Sequence, residues 1–426
     1  MAARVRTAAA ALLVVAAALP APALAHGLVQ RANLPLPEWL FAWAAAVVLV
    51  VSFVALAVLW PQPRLEHAGW RPLPGRLGAL LGSRLVEVAA GALGVALLAL
   101  VIVAGFVGSK NALSNFAPTF VFITFWVGVA FASALFGDVF RALNPWRALG
   151  RAGGWLAARS RRGATTSPPA EAEAEHARRA YPDRLGRWPA AAGLLAFTWV
   201  ELVSDSGEQP RTLAMLVVAY TVVTLAAQAV FGVERWTQRG ETFSVYFNFL
   251  SRVSVFATRD RVVGVRPPLS GLPGLDVVPG TIAFVMVMIG TVTFDGLGQG
   301  SVWAQISRWL DDGLATALSA TTAHEVSETL GLLACVALVA GFYALGCHWA
   351  SRLAPGISAE RVRRAFVHSL VPIALVYVAA HYLTFLLFEG QGIAYLLSDP
   401  LGRGWDLFGT ASAGVDYGVI SQNQAW

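Results

Sequence analysis

Lysine is almost missing from this chain. Of its 31 basic residues only Lys110 is a lysine, and the rest are arginines. Charge of either sign is scarce as well. Charged residues make up 13% of the sequence, against roughly 25% in soluble domains. That scarcity excludes an ordinary soluble globular chain, and it excludes disorder. Cysteine is limited to Cys335 and Cys347, in one expected helix. Their spacing puts them roughly 18 Å apart at a rise of about 1.5 Å per residue, too far for a bond within the chain. The sequence also has no G-x-x-x-x-G-K-[ST] loop, no G-x-S-x-G elbow, no C-x-x-C-H haem site and no Cys/His zinc framework.

What is present is apolar. Hydrophobic residues make up 57% of the 426, and the mean hydropathy is +0.61. One membrane-embedded unit fits this better than the several soluble domains that length alone would allow. The net charge is +6 and the pI about 9.7. The arginines fall in loops between apolar runs, so they speak for membrane orientation rather than for nucleic acid, which is not an expected partner.

The N-terminus reads as a secretory signal over residues 1–25. Arg4 and Arg6 form the basic region, Thr7 to Leu19 the apolar region, and Ala23-Leu24-Ala25 the cleavage site. Cleavage would leave His26 first, offering an α-amine and a ring nitrogen of the kind that suits Cu(II).

Residues 26–426 read as a single all-α integral membrane domain. Eight apolar runs are long enough to cross a bilayer: 39–60, 87–108, 117–139, 188–204, 211–233, 279–297, 329–350 and 364–388. A cleaved signal places the mature N-terminus outside, and eight spans return the C-terminus there. On that topology 24 basic residues fall inside and five outside, namely Arg31, Lys110, Arg211, Arg308 and Arg403. This is the asymmetry of the positive-inside rule, and it is independent of the apolar runs that define the spans. The location implied is a bacterial plasma membrane.

The loops carry further expectations. Residues 148–187 read as a cytoplasmic linker rich in Pro, Ser, Thr and alternating charge. A short helix on the inner interface is expected near Asn144-Pro145-Trp146-Arg147. Residues 242–257 alternate aromatic and polar groups and read as an amphipathic interfacial helix or a re-entrant segment. Val302, Trp303, Ile306, Trp309 and Leu310 predict a second interfacial helix, on the outer face. Glu87 and Asp138 lie close to many arginines, where ion pairing is expected.

Polar groups near the outer ends of several spans need a reason, because a charged group at mid-bilayer costs about 2.5–3.5 kcal/mol on insertion scales. Glu201 and Asp205 are four apart and share a helix face, as do His324 and Glu328. Asp295 ends the sixth span. His381 lies below the outer end of the eighth, with Tyr377 and Thr384 on its face. The candidate ligands of a divalent metal (Zn, Mn or Cu) are therefore His381, His324, Glu328, Glu201, Asp205, Asp295 and, separately, His26. Glu325, beside His324, is the candidate general base. The other reading is that the groups nearest the interface, Asp205, Glu325 and Glu389, simply meet water.

Three strings carry a resemblance. They are Ala25-His26-Gly27 with Leu34-Pro35-Leu36-Pro37-Glu38-Trp39, Phe136-Gly137-Asp138-Val139-Phe140-Arg141 with Asn144-Pro145-Trp146-Arg147, and Tyr181-Pro182 with Leu185-Gly186-Arg187-Trp188-Pro189. Over most of the mature chain the sequence resembles bacterial membrane proteins labelled fenitrothion hydrolase. The resemblance implies cleavage of an organophosphate ester, with a small apolar substrate arriving from the bilayer. It carries no catalytic residue onto this chain. The His-x-His metal pair of the soluble phosphotriesterases is missing.

Three functions thus stand open. A metal-dependent hydrolase would use a metal-bound water at His381, His324 and Glu328 with Glu201 or Asp205. A proton- or copper-linked transporter would use Glu201 and His381 as a relay. A non-catalytic subunit of a membrane complex would need neither.

Overall fold

Each of the eight apolar runs meets a helix in the computed structural model, which describes residues 38–59, 65–66, 69–162, 179–353 and 356–418. The helices are α1 (Glu38–Leu59), α2 (Arg84–Val107), α3 (Phe116–Phe136), α4 (Pro145–Arg162), α5 (Trp188–Leu202), α6 (Pro210–Phe231), α7 (Val233–Arg239), α8 (Thr242–Ser251), α9 (Thr281–Gly298), α10 (Ser301–Leu314), α11 (Ala320–Leu353) and α12 (Val371–Phe388). Among the described residues six segments are long and apolar enough to cross a membrane: Leu77–Val107, Phe116–Phe136, Pro210–Phe231, Thr281–Gly298, Ala320–Leu353 and Ala359–Ser398. The molecule is a multi-pass helical membrane protein. The signal segment and His26 lie outside the described residues.

Helix α9 is the central post. It is buried on nearly every side from Phe284 to Asp295, as expected of a helix that is apolar all round. Helices α5, α11 and α12 pack around it. Helix α8 adds a second buried segment. The aromatic run around it was expected at an interface, but nine of the ten residues of Thr242–Ser251 are buried and only Asn248 is not. Aromatic residues fall on several faces of this helix, and α3 and α5 cover them. The helix does not continue to 257, because Phe256 opens a strand.

That strand belongs to a small sheet the sequence did not predict. β1 (Arg71–Pro72), β2 (Phe256–Arg259) and β3 (Val262–Val265) pair antiparallel in the order β1-β3-β2. Asp260 and Arg261 form the hairpin tip with φ of +46° and +63°, the backbone of a two-residue turn whose twist matches the strands. A helix is present around Trp303, as α10. The polar stretch 148–187 begins as the rest of α4, which runs to Arg162.

The middle of α3 is unusual. Thr119–Gly128 is π-helical over ten residues, whereas such geometry is mostly confined to single turns, often at functional sites. Two close approaches fix α2 against its neighbours. A Cβ on Gly105 would meet the Ala214 side chain and the Pro210 carbonyl of α6 at 2.5 Å. A Cβ on Gly94 would overlap the Leu143 carbonyl oxygen just before α4.

Candidate functional site

The acidic end of the bundle contains two separate polar groups. The first is buried between α5, α8, α9 and α12. Asp295 lies in the last turn of α9. Tyr382 donates its hydroxyl to Asp295 Oδ2 at 2.5 Å. His381 Nε2 stands 2.8 Å from the same oxygen, but its approach is not aligned as a hydrogen bond. The two side chains are 10% and 5% exposed, so this is a desolvated acid–base pair. The His381 and Tyr382 rings meet edge to face with centroids 4.7 Å apart.

Glu201, in the last turn of α5, belongs to the same group. It lies within electrostatic reach of Asp295, Tyr246 and Tyr382. Its Oε2 is buried and accepts no hydrogen bond from the described residues. A buried oxygen in that condition costs about 1–3 kcal/mol, more for a charged group. Tyr246 closes the group from α8, stacked on Trp126 of the π-helix at 4.4 Å. Thr291, one turn below Asp295, spends its hydroxyl on the Val287 carbonyl.

The second group joins α10, α11 and the loop after α5. Trp303 Nε1 donates to both oxygens of Glu328, at 2.9 and 3.0 Å. His324 Nδ1 lies 3.1 Å from Asp311 Oδ2. The backbone N–H of Asp205 donates to Glu325 Oε1 at 3.2 Å, and Trp199 Nε1 donates to Thr329 Oγ1 at 2.8 Å.

The structure therefore divides the predicted ligands. Asp295 and His381 come together, and Glu201 lies within electrostatic reach of Asp295. His324, Glu328 and Asp205 instead have partners on α10 and α11, and Glu325 caps a backbone amide. Among the described residues no three His, Cys, Asp or Glu side chains are gathered as a metal centre. Tyr377, expected beside His381, is 44% exposed. Tyr382, the next residue after His381, takes the position at Asp295. Tyr246 and Tyr382 were missed because a single tyrosine in an apolar run carries no pattern.

The arginine end is more tightly knit. Glu241, 1% exposed, accepts four hydrogen bonds. Tyr220 Oη (2.5 Å) and Phe243 N (3.0 Å) reach Oε1, while Asn144 Nδ2 (3.1 Å) and Ser244 N (2.8 Å) reach Oε2. The last helps to cap α8. Arg147, 6% exposed, bridges Glu87 at 2.7 Å and Glu234 at 2.8 Å. Burial works against its charge, but the two carboxylates outweigh that and hold its proton more firmly than usual. Glu87 also pairs with Arg151 and Arg261, as the sequence predicts. Among the described residues Asp138 does not form an ion pair within contact distance. It accepts from Asn248 Nδ2 at 2.8 Å and from Arg141 N at 3.3 Å. Burial pushes its carboxyl above the usual range. Arg187 donates to the Asp276 carbonyl and to Thr281 Oγ1, and lies over the Phe249 ring at 5.0 Å.

Two of the strings that carry the resemblance thus build the arginine end. They stand apart from the acid–base group. No family model, curated protein or solved structure matches the chain.

Proposed function

We propose that this protein is a proton-linked transporter of a bacterial plasma membrane. The reading rests on the buried His381–Asp295–Tyr382 group with the unpartnered Glu201 oxygen beside it. Ionisable residues kept inside a helical membrane domain are costly, and proton relays are a common reason for them. A histidine and two carboxylates can each take up and release a proton. Tyr382 supplies a hydroxyl group on Asp295. The reading takes the chain as eight spans after a cleaved signal, with both termini outside.

The organophosphate hydrolase that the resemblance implies stands second. Its expected base, Glu325, already accepts from the Asp205 amide, and His324 already faces Asp311.

Proteoliposomes with a trapped pH dye test the reading. A panel of solutes, including hydrophobic cations and Cu(II), is added across an imposed pH gradient. Proton movement that depends on one of them, and that Asp295→Asn and Glu201→Gln abolish, is expected. Proton movement indifferent to both substitutions and to His381→Ala would refute the relay. Turnover of a phosphotriester that His381→Ala abolishes would put the hydrolase in its place.

A further inference from the structure

A cavity of about 280 Å³ lies between α2, α3, α5, α6 and α8. We propose that it is a binding site for the hydrocarbon chain of a membrane lipid. The inference does not depend on the proposed function.

The wall decides what can enter. It is built from Leu97, Val101, Phe125, Phe197, Val217 and Phe243 among others, and is almost wholly apolar. Its polar edge is Tyr220. That hydroxyl already donates to Glu241 and accepts from the Thr242 amide. The indole of Trp146, at the same edge, already donates to Thr221 Oγ1 at 2.9 Å. A polar or charged ligand would find no free partner. Water fits by volume, but it needs two to four polar contacts and finds none. An apolar chain asks for nothing except contact.

The position decides where the occupant comes from. Helices α2 and α6 touch at Gly105 and Ala214, and Pro145 and Trp146 of α4 are part of the wall. Leu216 of α6 lines the cavity and is also 41% exposed. The mouth thus lies on the flank of α6, within an apolar segment long enough to cross a membrane. It faces the acyl region and not the water. The volume is close to the lower limit of small-molecule sites, roughly 300–1,000 Å³, which suits one chain and not a whole lipid.

The π-helix separates this cavity from the acid–base group. Phe120, Val121, Phe125 and Val129 line the cavity, while Trp126 stacks on Tyr246. Val200, the neighbour of Glu201 in α5, also lines the cavity.

The test uses the full protein in nanodiscs containing a phospholipid with a diazirine on one acyl chain. After photolysis, adducts are mapped by peptide mass spectrometry. Adducts are expected on Leu97, Val101, Phe197 and Val217, above those on the outward Leu93, Val103 and Val222, which are 53%, 47% and 61% exposed. Ala196→Phe, which fills the cavity from α5, should cut the cavity adducts about tenfold and leave the outward ones unchanged. Leu216→Trp, at the mouth, serves as a second variant if the first does not fold. Labelling that simply follows outward exposure would overturn the proposal. So would cavity adducts that a folded Ala196→Phe or Leu216→Trp protein retains, or a copurifying apolar molecule that is not a lipid.

Discussion

Replacing Glu241 by glutamine removes little volume and changes one group. The carboxylate accepts two hydrogen bonds on each oxygen. An amide can accept on one side only. Its better orientation keeps the carbonyl toward Asn144 and Ser244, because the Asn144 carbonyl oxygen is already held by the Arg147 amide. The amide NH₂ then faces Tyr220 and Phe243. The Tyr220 hydroxyl can turn and accept, but the Phe243 N–H cannot. One buried donor is left unmet, at about 1–3 kcal/mol. The charge-assisted strength of the remaining bonds is lost as well, so Glu241→Gln should destabilise by roughly 2–4 kcal/mol. Glu241→Ala abandons all four donors and should cost roughly 4–6 kcal/mol. The assay is reversible denaturant unfolding in detergent, run as a double-mutant cycle with Asn144→Ala. A coupling above about 0.5 kcal/mol is expected for partners in one network. A Glu241→Gln protein within about 0.5 kcal/mol of the parent would refute the reasoning.

Two further outcomes follow from the arginine end. Arg147→Met removes the most buried partner of Glu87 and Glu234, but Glu87 keeps Arg151 and Arg261 and Glu234 keeps Arg141, so it should destabilise by about 1–3 kcal/mol, the worth of a hydrogen bond to a charged group; unfolding in detergent measures it, and Arg147→Lys should recover only part. Asp138 has its folded pKa raised by burial, so its contribution is fully present below the unfolded value of about 3.9 and is lost as pH rises through the folded value. Thermal melts between about pH 4 and pH 7 should therefore show the parent losing stability relative to Asp138→Asn as pH rises, and an unchanging difference would contradict this.

Much of the fold is legible because a membrane helix needs a long apolar run, and such a run has few other readings. Even the short α5 is found by its Pro189 and its apolar residues. The sheet is not legible, since its strands are two to four residues long and sit among arginines that read as loop. Helix α8 is misplaced for a related reason. Its alternation of aromatic and polar residues describes a side chain's chemistry, not whether water, lipid or protein covers it. The site divides in the same way. Glu201, Asp295 and His381 stand out because charge inside an apolar run is rare. His324 and Glu328 also stand out, by four-residue spacing, but spacing gives a shared face and not the partner opposite. That partner is α10, whose Trp303 and Asp311 come from another helix. Glu241 had no signal, because its four donors come from three different segments: Tyr220 of α6, Asn144 before α4, and the first amides of α8.

The ten π-helical residues of α3 act as a phase setting. In an ordinary helix one residue turns the chain by about 100°. Deleting a single residue from 119–128 would therefore rotate one half of α3 against the other by about that angle. Trp126 would swing away from Tyr246, and a different set of side chains would face the lipid-side cavity. The partition between a dry chamber and a protonatable one is thus held by the register of one stretch, and a single-residue deletion there would unlock it without removing any polar group.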